Sequence, residues 1–112
     1  MRNDLIDPRI CFPKGITTQR PTGERYAWGG IEGTLPSGGN AAVVFLPDAE
    51  NPRYPEPFYG AAKTDWNFFG GAPLFHEPLC LKAGEQLRHR ARVLVLPRRI
   101  TDEEVESLGT IY

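Results

Sequence analysis

Apolar and polar positions alternate with a period of two along residues 86–96, QLRHRARVLVL. Leu87, His89, Ala91, Val93 and Val95 share one face; Arg88, Arg90 and Arg92 share the other, followed by Leu94 and Leu96. The pattern predicts a strand with one face buried throughout and the other passing from solvent to core near Val93. NAAVVFL, residues 40–46, does not alternate, which predicts a strand covered on both faces. The glycines of LPSGGN, residues 35–40, suit the positive φ of a hairpin loop. ERYAWGGIEGTL, residues 24–35, reads as one strand whose Gly29–Gly30 pair permits a bulge or a close backbone approach. ITTQ, residues 16–19, reads as a short strand inside an otherwise irregular segment, 1–23, that holds Pro8, Pro13 and Pro21. DWNFFGGAPLF, residues 65–75, reads as extended and broken at Gly70–Gly71. HEPLCL, residues 76–81, continues as strand to a turn at KAGE.

TDEEVESLGTIY, residues 101–112, carries the helical signals of the chain. Thr101 is the N-cap and Glu104, three residues on, completes a capping box. Asp102 and Glu103 suit the positive end of a helix dipole. Val105 and Leu108 form the apolar stripe before Gly109 weakens or ends the helix.

LPDAENPRYPEP, residues 46–57, is a different kind of segment. Pro47 should stop the preceding strand, since it offers no N–H to the ladder. Pro52, Pro55 and Pro57 push Asn51, Tyr54 and Glu56 toward extended geometry. A polyproline-like arm would hold Arg53 and Glu56 along one edge. Protection of a sheet edge is the alternative use of such prolines.

Composition narrows the function classes. The 112 residues fit one domain, residues 1–112. Thirteen basic residues against fourteen acidic ones leave a net charge of −1, with no electrostatic footprint for nucleic acid. No run reaches the length of a membrane span, and MRNDLIDPRI lacks a signal-peptide core, so a cytoplasmic location is the default. Twelve glycines and eleven prolines in a chain of ordinary apolar content point to many turns between short strands. Cys11 and Cys80 make no CxxC motif and no disulfide framework. His76 and Cys80 would lie about 13 Å apart along a strand, too far to share a metal, and nothing in the spacings asks for a metal or a cofactor.

The candidate chemistry lies in polar residues set among aromatics. Trp66, between Asp65 and Asn67, could stack on a sugar ring while amide and carboxylate groups bind hydroxyls. His76 is the candidate acid–base group. Arg53 and Tyr59 complete the set. The arginine row of RHRAR reads as a solvated strand face and His89 as a core or rim histidine.

The order of these motifs resembles the C-terminal half of the PmoA-like family, often labelled methane oxygenase. ITTQ, RYAWGGIEGTL, AAVVFL, NPRYPEP, FFGGAPLFHEPLCLKAGEQLRHRARVLV and ITDEE carry the resemblance, from about Ile16 to the end. It implies an antiparallel β-supersandwich similar to that of galactose mutarotase, and an association with carbohydrate metabolism. Family members are longer, so the chain looks like the second half of such a fold or a shortened relative. Asn51, Arg53 and Pro57 match the loop motif, and His76 matches a position where relatives often carry histidine. Where relatives place a histidine before the Asn-Pro-Arg element, this sequence has Leu46, Pro47 and Asp48. Oxygenase chemistry at copper or iron needs a ligand set that two histidines do not provide.

The expectation is therefore an all-β antiparallel sandwich, or half of a larger one, with a short C-terminal helix over 101–112. The protein is expected to act on or bind a sugar or a sugar-derived molecule, with His76 as acid–base group and Asn51, Arg53, Tyr59, Asp65 and Trp66 as binders. A non-catalytic sugar-binding or structural module is the alternative. A half-sandwich leaves sheet uncovered, so a homodimer or other association is also expected.

Overall fold

A computed structural model of the protein describes residues 5–63 and 67–111. In chain order the elements are β1 (Ile6–Phe12), β2 (Ile16–Thr18), β3 (Thr22–Arg25), β4 (Gly29–Thr34), β5 (Asn40–Pro47), β6 (Pro57–Ala62), β7 (Asn67–Gly71), β8 (Ala91–Leu96) and α1 (Asp102–Ile111). They build a five-stranded sheet, β2-β1-β4-β5-β8, and a three-stranded sheet, β3-β6-β7. The pairings are antiparallel throughout. The architecture is an all-β sandwich with one short C-terminal helix.

The centre of the larger sheet is covered on both faces. Ile10, Phe12 and Ile31 meet Phe58 and Ala62 of the smaller sheet, with Val43, Phe45 and Phe69 packed around them. Aromatic rings fill this layer: Phe58 stacks on Phe69 at 5.2 Å and meets Phe45 edge-on at 6.1 Å. On the other face, Trp28, Ala42, Val44 and Leu96 pack with Val105 of α1 and with Ile100. The unalternating run of β5 follows from this layering. Val43 and Phe45 enter the inter-sheet core while Ala42 and Val44 enter the helix-side core.

The chain departs from the sequence reading in several places, each for a physical reason. The segment 1–23 is not irregular: β1 lies inside the larger sheet, between β2 and β4. Pro8 is tolerated there because the register of β1 against β4 shifts between Ile6 and Arg9, a bulge that spares the ladder a missing donor. Residues 24–35 are not one strand. β3 belongs to the small sheet and β4 to the large one, so the chain changes layer at Tyr26–Trp28. Residues 76–81 and 86–90 are not in strands, although the turn at KAGE forms, with Glu85 N–H donating to Lys82 O at 2.9 Å.

On β8 the arginine-row face does pass into the core at Leu94 and Leu96, but the face expected to be buried throughout is not. Val93 and Val95 are 58% and 75% exposed, whereas Leu96 is buried. Val93 and Val95 sit opposite Phe45 and Val43, on the inter-sheet side. The smaller sheet is only three strands wide, and among the described residues nothing covers that side of β8. The helix-side cluster covers the opposite side, so Leu94 and Leu96 are the residues that pack.

Helix α1 begins as its cap residue indicates. Glu104 N–H reaches Thr101 Oγ1 at 3.4 Å. The Glu104 carboxylate does not close a capping box; it binds Arg98 at 2.8–2.9 Å. Gly109 does not end the helix, which runs to Ile111. Asp102 accepts the backbone N–H of Lys14 at 2.6 Å and so ties the helix start to the β1–β2 turn.

One buried carboxylate joins β1 and β4 of the larger sheet to the segment that leads into α1. Glu32 on β4 accepts from Arg9 Nε at 3.1 Å, Cys11 Sγ at 3.2 Å, Arg99 Nη1 at 2.7 Å and Ile100 N–H at 3.1 Å. Burial alone would raise its pKa, but the hydrogen bonds from Arg99, Cys11, Ile100 N–H and Arg9 hold it below the ordinary carboxylate value. Burial, with Glu32 beside it, pushes the Cys11 thiol up to about 12.

Candidate functional site

Strand β6 sets neighbouring residues on opposite faces, and Tyr59 is its one exposed residue. Phe58 points into the core, and Tyr59 points to the outer face of the small sheet, 37% exposed. Phe68, from β7, lies 5.4 Å from the Tyr59 ring. Phe75 approaches from the following loop to 5.8 Å of Tyr59, and His76 meets Phe75 edge-on at 5.1 Å. Phe75 is 42% exposed, and Leu74 beside it 54%. The result is a row of rings on an open sheet face, ended by a histidine.

Two features seat this row. Gly23 of β3 has φ +96, and a Cβ there would come within 2.5 Å of the Phe75 ring and 2.9 Å of His76. Only glycine lets the loop lie flat on the strand. His76 Nε2 lies 2.8 Å from Gly23 O. A carbonyl can only accept, so Nε2 carries the proton and Nδ1 of the neutral ring keeps its lone pair. Beside it, Glu24 is held below the usual carboxylate range. Burial acts against this, but the Thr22 and Glu24 N–H groups, the Thr22 hydroxyl and the nearby His76 together favour the charged form and prevail.

The second feature is Arg53. Its guanidinium donates to Pro73 O at 3.0 Å, to Glu77 O, and to Pro78 O at 2.8 Å. It therefore fastens the loop that carries Phe75 and His76. Residues 48–56 form successive turns and not a polyproline arm, with Arg53 at φ +68 and a cis Tyr54–Pro55 bond. Arg53 and Glu56 part company as a result. Arg53 turns to the 73–78 loop, and the fully buried Glu56 turns to His89, whose Nε2 is 2.9 Å away. Pro47 does end β5.

The sequence-predicted residues divide accordingly. Tyr59 and His76 come together across Phe75, and Arg53 stands behind them as a fastener whose donors serve backbone carbonyls. Asn51 is elsewhere: its amide donates to Arg90 O at 2.6 Å and accepts Arg90 N–H at 2.8 Å, a side-chain extension of the β5–β8 ladder. Asp65 and Trp66 lie outside the described residues. Phe75, Phe68 and Gly23 were not singled out as site residues. FFGGAPLF looks like core by composition, and only the pairing of β6 with β7 shows which rings face outward. Among the described residues no group of three or more histidine, cysteine or acidic side chains is placed to hold a metal. No described helix is long and apolar enough to cross a membrane.

The fold and this face define an antiparallel β-sandwich with a helix behind its larger sheet and an open aromatic surface on its smaller one. The chain belongs to DUF6807, a family of unknown function, whose pattern matches residues 2–109. No curated protein and no solved structure matches it.

Proposed function

We propose that this protein binds a sugar or sugar-derived molecule on the outer face of its small sheet. The observation that carries the reading is the exposed row Tyr59–Phe75–His76, with ring centroids 5.8 and 5.1 Å apart. Aromatic faces that are fixed and half exposed suit the C–H face of a pyranose, and a histidine at the end of the row supplies a hydrogen bond to a hydroxyl. The resemblance to the PmoA-like family and its galactose-mutarotase-like supersandwich supports the same ligand class. Binding without turnover is the form we favour, because His76 already spends Nε2 on Gly23. If the face is catalytic, Nδ1 of His76 is the group placed to move a proton.

Saturation-transfer NMR of the full chain against a panel of neutral and acidic mono- and oligosaccharides tests this. Tyr59→Ala and Phe75→Ala should each weaken binding roughly tenfold, the equivalent of about 1.4 kcal/mol of stacking and buried area. Both residues sit on an open surface, so the melting temperature should change little. Sugar binding that survives both substitutions, or no binding by any panel member at millimolar concentration, would overturn the reading.

A further inference from the structure

Among the described residues two carboxylates are almost fully buried, and they are satisfied in opposite ways. Glu32 receives two guanidinium donors, a thiol and a backbone N–H. That is how a structural buried charge is normally compensated. Glu56 is 0% exposed, and the donor found for it among the described residues is a single group, Nε2 of His89, at 2.9 Å from one oxygen and 3.1 Å from the other. Space for the carboxylate exists because residue 71 is glycine; a Cβ there would collide with Glu56.

The pair is not sealed. The His89 side chain is 29% exposed. It lines a groove of about 620 Å³ at the end of the β5–β8 ladder. Pro47, Asp48 and Ala49 form one wall, and Arg90 and Arg92 stand beside His89 on the other. The volume suits a small ligand. The Asn51 amide bonds to both backbone groups of Arg90, and Asp48 N–H adds a third bond to Arg90 O at 3.0 Å. These bonds hold His89 and Arg90 in place beyond the point where β8 proper begins. The Arg90 guanidinium makes no hydrogen bond or ion pair to the described residues, so it is available at the groove.

We propose that Glu56 and His89 form an acid–base couple serving a small oxyanion-bearing ligand, a hydroxycarboxylate or a phosphate ester. Arg90 binds the anionic group. The carboxylate can only accept, so Nε2–H points to Glu56 and the lone pair of Nδ1 is the free basic site of the neutral ring. A ligand O–H or C–H proton passes to Nδ1 and its bonding pair stays on the ligand. Glu56 stabilises the imidazolium that forms, and the same proton returns to the ligand or to water, so the couple is regenerated without a co-reactant. This site lies apart from the aromatic face and does not depend on the sugar-binding reading.

Long-range 1H–15N spectra of the full chain report both histidine rings, assigned with His76→Asn and His89→Asn variants. Inorganic phosphate and lactate are the probes, one for each source of the oxyanion. One or both should move the His89 resonances, with Nδ1 shifting toward its protonated position, while His76 stays still. Whichever probe acts identifies the ligand class. Arg90→Ala, which removes an exposed side chain, should weaken the response at least tenfold. Glu56→Gln should release the fixed Nε2–H tautomer, and Arg90→Ala carries the test if that variant does not fold. A His89 ring fixed as Nε2–H but unmoved by both anions, or moved equally in Arg90→Ala, overturns the proposal.

Discussion

Replacing Glu32 by glutamine is the sharpest test of what holds the sandwich to its helix. The change keeps the shape of the side chain and removes its charge. Four donors converge on the carboxylate at 2.7–3.2 Å. A glutamine carbonyl can accept about two of them, and its NH2 group faces donors and not acceptors. Arg9 and Arg99 are 50% and 36% exposed, so water recovers part of what they lose. Cys11 is buried and Ile100 half-buried, so their donors have less recourse. Hydrogen bonds to a charged group contribute about 1.5–3 kcal/mol each, and discounting the exposed arginines leaves a loss of about 2–4 kcal/mol. That is a large fraction of the ~5–15 kcal/mol by which such a domain is stable.

Urea unfolding at pH 7 should show the midpoint falling by roughly 2 M, for a slope near 1.5 kcal/mol per M that itself stays unchanged. The pH dependence adds a sign. Folding lowers the Glu32 pKa from its ordinary 4.5, so its contribution is complete above that value and is lost as pH falls through the folded one. The gap between the two proteins should therefore be widest near neutrality and close in acid. A loss below about 0.5 kcal/mol at pH 7, or a gap that widens below pH 4.5, would refute the reasoning.

Thr101→Ala should cost about 0.5–1 kcal/mol in the same assay, toward the low end because the cap bond is long at 3.4 Å; an unchanged midpoint would remove Thr101 as the cap. Native protein treated with iodoacetamide at pH 8 should be labelled at the exposed Cys80 and spared at Cys11, whose thiol is buried and pushed up to about 12, and equal labelling seen by mass spectrometry would contradict the burial. The outer edge of β8, with Val93 and Val95 exposed, predicts self-association through a second copy of that strand. Sedimentation at tens of micromolar should detect a dimer that Val95→Lys abolishes, and a wild-type monomer there would count against it.

The sequence by itself determined the elements whose signals are local. LPSGGN forms its hairpin because Gly38 supplies the positive φ, at +103. Pro47 stops β5, and Thr101 starts the helix. The unalternating run of β5 announced two covered faces. All of these are read from a few neighbouring residues, where backbone sterics and hydrogen-bond demand decide.

Tertiary structure decided the rest, because the deciding partner lies far away in the chain. Alternation along β8 says that two faces differ but not which one finds a cover; the width of the small sheet and the place of α1 settle that against Val93 and Val95. Pro8 argues against a strand until β4 is seen to accommodate the bulge. The prolines of residues 46–57 suggest an arm holding Glu56 beside Arg53, whereas the burial of Glu56 depends on Gly71 leaving room and on His89 arriving from thirty-three residues away. Tyr59 and His76 were legible as candidates from their chemistry. Their meeting across Phe75 required Arg53 to fasten the 73–78 loop and Gly23 to let it lie against β3, contacts between segments that no local pattern encodes.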